Sequence, residues 1–334
     1  MLPEHYQKVT VTQRGSDPHQ CLQVVDAKMR QPHAHDLLVR NHYAGVNSLD
    51  VGRMMGLDEN HPKPPFDFGI EAIGEVVAVG NHVEEYKVGD TVVTVLPSNG
   101  YREYSLIDRN FAARIPSIDP KFVGVYISGV MAKIALEFIT DIQGYETVMV
   151  TSALGASGHF AVQLAKAQGC HVVGTCAHQA EAELLASLGV DRIIQREDDD
   201  VKAVLASEYK DMLNIVYDTM GGDLLDACID NTAPRARIII ANAIREQIRG
   251  ESMLHTIDLY HKIIRRSVSL TGLNLSDYAN AVPIEGLKLV DKIQRGEIQS
   301  LVDPTPFERI DSVPDALAHL MSGTARGKVV VKLI

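Results

Sequence analysis

One stretch constrains the fold of this 334-residue chain more than any other. Thr147-Val148-Met149-Val150-Thr151 is apolar and β-branched and reads as a buried strand. It runs into a turn of small or apolar residues, Ser152-Ala153-Leu154-Gly155-Ala156-Ser157-Gly158, and then into a helical pattern over residues 160–167. A strand that passes through such a turn directly into a helix opens a parallel unit, because a parallel neighbour can be reached only by a crossover. The same rhythm continues, with strand-like runs at 171–176, 192–195, 213–218, 237–241 and 267–273. Helical runs at 180–188, 198–208 and 224–231 lie between them. Alternation on this spacing predicts an α/β fold, a doubly wound parallel sheet covered on both faces.

The first third of the chain has a different texture. Short β-type runs at 37–39, 74–79, 91–95 and 104–107 are separated by Gly, Pro and Asp and predict a β-rich domain. Residues 62–68, rich in proline, read as a rigid loop at a pocket rim. After the α/β part come helical patterns at 285–295 and 314–321 and a closing strand at 328–334, expected to return to the first domain. With an apolar content of 46% and about 150 residues per domain, two domains are expected. Their bounds are 1–120 with 277–334, and 121–276.

Charge and cysteine usage exclude several classes of partner. Lys and Arg number 32 against 43 Asp and Glu, a net charge of -11, so neither nucleic acid nor an anionic membrane surface is an expected partner. Residues 261–266, the most basic stretch, read as a solvated helix face. No run of about 18 apolar residues and no signal-peptide start are read, so a cytoplasmic location is expected. Cys21, Cys170, Cys176 and Cys228 stand too far apart for a metal cluster and read as reduced thiols. His33-Ala34-His35-Asp36 reads as a loop, and no metal site is expected.

Small residues in the turn around Gly155 and Gly158 let backbone N–H groups approach a pyrophosphate, and the following helix adds its positive dipole end. The preceding strand, following helix and next strand are the context that such a turn needs to bind a dinucleotide. At this point the chain resembles a known family. Val148-Met149-Val150-Thr151 continuing through Leu164-Ala165-Lys166, Tyr217-Asp218-Thr219-Met220-Gly221-Gly222 and Gly327-Lys328-Val329-Val330 are similar to the medium-chain dehydrogenase/reductase superfamily. The similarity is to the zinc-independent quinone oxidoreductase and enoyl reductase branch, within it to the prostaglandin reductase 3-like group. It extends to Gly45-Val46-Asn47-Ser48-Leu49-Asp50, Pro64-Pro65-Phe66-Asp67 and Gly69-Ile70-Glu71-Ala72-Ile73-Gly74.

The resemblance implies a Rossmann-type domain and a GroES-like domain, and NAD(P)H-dependent reduction of an activated double bond in an enone, enoyl compound or quinone. Asn47 and Ile70 stand where the zinc-dependent branch has Cys and His, so a zinc-free reaction is implied. Gly155, Ala156, Ser157, Gly158, Gly174, Cys176, Arg196, Thr219, Asn242, Ile244, Leu273 and Asn274 are the positions implied to hold the cofactor. Arg53, where relatives have Tyr, and Asn47 are the implied catalytic polar contacts. Ala177 and Glu181 replace the family's Ser and Lys near a 2′-phosphate, whereas Arg196 replaces a Tyr and supplies a cation. NADPH is therefore expected, with NADH open. Ser128-Gly129-Val130-Met131-Ala132, Asn242, Leu273-Asn274 and Ala325-Arg326 also depart from the family pattern. These departures leave a non-catalytic dinucleotide-sensing or partner-binding protein as the alternative. The sixth strand, Ser267 to Leu273, is expected at an open sheet edge, pairing with a second copy in a homodimer.

Overall fold

The α/β part forms a six-stranded sheet in a computed structural model that describes residues 2–57, 63–242 and 256–334. Its spatial order is Arg192–Gln195, His171–Cys176, Thr147–Val150, Leu213–Asp218, Thr232–Ile240, Ser269–Gly272, every pair parallel. The chain therefore starts at the middle, steps outward twice and then returns to build the other half. Such a reversal opens a crevice at the carboxyl ends of the two central strands. Helices Gly158–Ala167, Gln179–Ser187, Val201–Glu208 and Gly222–Asp230 follow the first four strands in sequence. The last two of these helices share with the sheet a core of Met149, Val173, Ile194, Leu205, Val216, Leu225 and Ile238, each no more than 1% exposed.

The β-rich part carries a seven-stranded sheet. From one edge its order is Phe307–Glu308, Val330–Lys332, Asp36–Gly45, Glu71–Val79, Thr91–Val95 and Ala112–Arg114, with Tyr104–Asp108 also paired to Asp36–Gly45. The central antiparallel pair, Asp36–Gly45 with Glu71–Val79, shifts register at Leu38/Val39 and Asn41/Tyr43. At the second shift the backbones come so close that a Cβ on Gly74 would lie 2.1 Å from the Arg40 carbonyl oxygen. Leu37, Val39, Val76, Val83, Val92 and Ile107 fill the core beside it.

Several boundaries differ from the sequence expectation. The two units are Met1–Tyr126 with Leu301–Ile334, and Ile127–Ser300. Residues 277–300 thus belong to the α/β unit, since helix Val282–Gln294 packs there through Glu285, whose carboxylate faces the Lys133 ammonium at 3.6 Å. A hairpin of His5–Val11 and Leu22–Lys28 and a helix, Ser48–Met55, were not anticipated. Nor was the helical run through Val125–Gly129, Val130–Lys133 and Ile134–Ile139. The stretch Pro120–Ile139 reaches a mean hydropathy of 1.7, contrary to the expectation of no long apolar run, and 72% of that window is buried in the protein. That burial is the mark of a core helix. The sixth strand is shorter than expected, Ser269–Gly272, because Ser267 turns with φ 55° and the Val268 N–H bonds back to Ile263.

Candidate functional site

The turn after Thr147–Val150 is built by backbone crowding. Ser152 takes a positive φ of 51°, and its carbonyl oxygen accepts from the Gly155 N–H at 2.8 Å. The same oxygen lies 2.3 Å from where a Cβ on Gly158 would sit, so only glycine lets helix Gly158–Ala167 start this close to the strand. Gly174 on the neighbouring strand is pressed likewise, 3.0 Å from the Ala153 methyl. Ser157 makes no side-chain cap, so its hydroxyl does not cover the start of the helix, where the His159 N–H is taken by the Gly155 carbonyl at 3.2 Å. Gly155, Ala156, Ser157 and Gly158 are thus brought together at a helix N-terminus, a cradle-like arrangement with the chemistry to accept an anion.

Beside this cradle lies a pair that residue patterning alone did not mark. The Thr151 hydroxyl donates to Asp218 Oδ1 at 2.8 Å, and Asp218 accepts from the Met220 and Gly221 N–H groups. Thr219 closes the arrangement, its N–H donating to Thr151 Oγ1 at 2.8 Å and its hydroxyl to the Thr151 carbonyl at 3.2 Å. The Thr219 side chain therefore ties the ends of two central strands together. A Thr and an Asp ending strands that flank the reversal of the sheet were the available signal.

Cys176, at the end of the second strand, is buried, and burial followed by the Glu181 charge pushes its thiol up to about 11. It is held as a neutral thiol. The Glu181 carboxylate accepts from the Ala177 N–H at 2.8 Å, so it fastens the end of this strand to helix Gln179–Ser187. Arg196 meets the same corner, its N–H donating to the Cys176 carbonyl at 3.0 Å, and its Nε has no hydrogen-bond partner among the described residues. Two acidic residues follow it closely in sequence: Glu197 pairs with His178 at 2.9 Å and Asp199 accepts from the Gln195 N–H.

Asn242, Leu273 and Asn274 come together with Ile240, Ala241 and Gly272 around an open pocket of about 420 Å³ at the carboxyl ends of the last two strands. The Leu273 N–H donates to the Ile240 carbonyl at 3.0 Å, while the Asn274 side chain accepts from the Ser276 N–H and starts a turn. Ile244 lies outside the described residues.

In the β-rich unit, a buried polar cluster joins four distant segments. Lys328 pairs with Glu71, both 1% exposed, and donates to Asn47 Oδ1 at 2.7 Å. Asn47 Nδ2 in turn donates to Glu71 Oε1 and to the Gly45 carbonyl. Both ends of the Asn47 amide are thus engaged within the protein. Its N–H is accepted by the Asp50 carboxylate at 3.0 Å, which opens helix Ser48–Met55, and Tyr101 donates to the same carboxylate at 2.8 Å. Arg53, one turn further on, is 5% exposed and donates from Nη2 to the Ser98 hydroxyl at 3.0 Å. Glu71, Tyr101 and Lys328 were missed as a group, because nothing in local spacing joins them.

Burial outweighs the Tyr101 and Asn47 hydrogen bonds and the Lys328 charge, and holds the Asp50 carboxyl up at about 6. Because the folded state binds this proton more tightly than the unfolded chain, stability falls as pH rises through about 4 to 6 and stays lower above. The loss is on the order of 3 kcal/mol. Asp50→Asn keeps an acceptor for Tyr101 and buries no charge. We expect urea unfolding at pH 5 and pH 8 to show wild type losing stability between the two and the variant losing markedly less; parallel losses would contradict the assignment.

Two family models match the chain: zinc-binding dehydrogenase over residues 156–291 and alcohol dehydrogenase GroES-like domain over residues 33–137. The chain is 33% identical to prostaglandin reductase-3 of Mus musculus, across 99% of this chain and 90% of that one. A probable quinone oxidoreductase of Leishmania amazonensis is 29% identical, across 99% of both. Among solved structures, Escherichia coli quinone oxidoreductase complexed with NADPH superposes with a TM-score of 0.84 at 24% identity, covering 98% of this chain and 99% of that one. The CurK enoyl reductase gives 0.83 at 20% identity, covering 99% and 100%.

Proposed function

This chain belongs to the medium-chain dehydrogenase/reductase superfamily, in its quinone oxidoreductase and enoyl reductase branch, and from that premise we propose that it is an NADPH-dependent reductase of α,β-unsaturated carbonyl compounds or quinones. The observation that carries this reading is the Gly158 turn, where a Cβ would lie 2.3 Å from the Ser152 carbonyl oxygen, so that the helix starts directly against the strand end as a dinucleotide-binding turn requires. The cofactor, when bound, supplies the hydride.

The chain's own residues have three tasks. Backbone N–H groups at the start of helix Gly158–Ala167 hold the pyrophosphate, Arg196 holds the 2′-phosphate, and Arg53 stabilises negative charge on the substrate oxygen. Asn47, expected from the sequence as a polar contact to substrate, serves in this account as the tie between Lys328, Glu71 and the helix start. An arginine keeps its proton at neutral pH, so water delivers the proton that completes the reduction. A catalytic zinc does not fit the donor set: Asn47 and Ile70 stand in place of a thiolate and an imidazole, and the Lys328 ammonium already occupies the polar side of Asn47. NADPH or NADH oxidation across a panel of enones and quinones tests the function, and oxidation with none of them would overturn it. Cofactor binding without any turnover would favour the alternative of a dinucleotide-sensing protein.

Arg196 provides the test of cofactor choice. Arg196→Ala is expected to weaken NADPH by about 1.5–3 kcal/mol and to leave NADH nearly unchanged, measured by fluorescence titration at fixed ionic strength. Equal effects on the two cofactors would contradict the assignment. Glu181→Gln is the companion change: it keeps an acceptor for the Ala177 N–H, whereas a lysine there would lose that bond along with the charge.

Two further expectations belong to this reading. Strand Ser269–Gly272 pairs on one side only among the described residues, with Leu270 39% exposed, which favours an antiparallel pairing with a second copy in a homodimer. With its net charge of -11 the protein is proposed to work in the cytoplasm, away from nucleic acid and membrane.

A further inference from the structure

The side chain that follows the anion cradle is a histidine with no exposure to solvent. His159 Nδ1 lies 3.0 Å from the Gly155 carbonyl oxygen, which also accepts the His159 backbone N–H at 3.2 Å. A carbonyl oxygen only accepts, so Nδ1 carries the proton. The ring has little freedom to leave, since it packs on Phe160 with centroids 4.2 Å apart, and Phe160 in turn lies 3.4 Å from where a Cβ on Gly129 would sit. Gln163 secures the next turn by donating to the His159 carbonyl at 2.8 Å.

Peptide planarity gives this contact a consequence at the cradle. In a trans peptide the carbonyl of one residue and the N–H of the next point in opposite directions. With the Gly155 carbonyl directed at the ring, the Ala156 N–H is turned away from His159. We propose that His159 is a positioning residue for dinucleotide binding, a buried Nδ1–H donor that fixes the Gly155–Ala156 peptide with its N–H presented to the pyrophosphate.

This proposal rests on the dinucleotide reading and concerns the part common to NADPH and NADH, so its effect falls on both cofactors alike, unlike that of Arg196. His159→Asn places an amide nitrogen where Nδ1 stands, His159→Leu fills the space without a donor, and His159→Gln carries its donor too far out to replace Nδ1. Fluorescence titration with each cofactor is expected to show Leu and Gln binding about 3- to 10-fold more weakly than wild type, with Asn close to wild type. Melting of the cofactor-free proteins separates this from a loss of fold; should Leu fail to fold, Asn against Gln gives the same comparison. A long-range proton–nitrogen NMR spectrum of the wild type is expected to place the ring proton on Nδ1. Equal binding by Asn, Leu and Gln, or a ring protonated at Nε2 alone, would overturn the proposal. Wild-type protein that binds neither cofactor would overturn the dinucleotide reading and this inference with it.

Discussion

Gly158→Ala is expected to weaken binding of either nicotinamide dinucleotide roughly 30- to 150-fold, the equivalent of about 2–3 kcal/mol of overpacking. The added methyl would lie 2.3 Å from the Ser152 carbonyl oxygen and 3.1 Å from Ala153, both backbone contacts that no side-chain rotation relieves. The helix start must therefore move away from the strand, and the N–H groups that form the cradle move with it. Gly155→Ala is the control: its Cβ would meet the Ser152 oxygen at 3.1 Å, a tight contact that a small shift accommodates. Titration with NADPH and NADH should therefore rank wild type, Gly155→Ala and Gly158→Ala in falling affinity. Near-wild-type binding by Gly158→Ala would contradict the close-approach argument.

The second large effect is expected at Lys328, in the other unit. Its ammonium, 1% exposed, is shared between Glu71 and the Asn47 amide, so Lys328→Met leaves the buried Glu71 carboxylate without its cation. Breaking one side of such a pair costs about 3–5 kcal/mol. Pairing it with Glu71→Gln removes the stranded charge, and the double variant should recover a large part of that loss. Urea unfolding at neutral pH checks both. A single-variant loss below about 1 kcal/mol would show that the pair contributes no more than a surface one.

Residues close together in sequence made the α/β unit legible. Thr147–Val150, the small-residue turn and the start of helix Gly158–Ala167 are contiguous, and their periodicity and composition carry the chain path without distant partners. The β-rich cluster was hidden for the opposite reason: Lys328 and Asn47 meet across 281 residues, and no local pattern encodes that pairing. Helix Ser48–Met55 lay between these cases. Asn47 and Asp50 are spaced as a cap and its third-residue acceptor, a readable signal, but only eight residues follow it. The helical run through Val130–Lys133 escaped because it is apolar on nearly every side, which flattens the periodicity that marks a surface helix. Asn47 shows what residue type alone leaves out. A polar side chain at a family site position reads as a substrate contact, and the structure adds that its amide is engaged at both ends, by Lys328 and by Glu71 and Gly45.

The proposed reduction is tested by following the hydrogen. An enone is reduced with NADPH or NADH carrying deuterium at the transferable nicotinamide position, and the product is read by NMR and mass spectrometry. The expected product carries one deuterium at the β-carbon, a proton from water at the α-carbon and an intact carbonyl. Deuterium on the carbonyl carbon, giving an allylic alcohol, would contradict the proposed reduction, and so would the absence of label from every product.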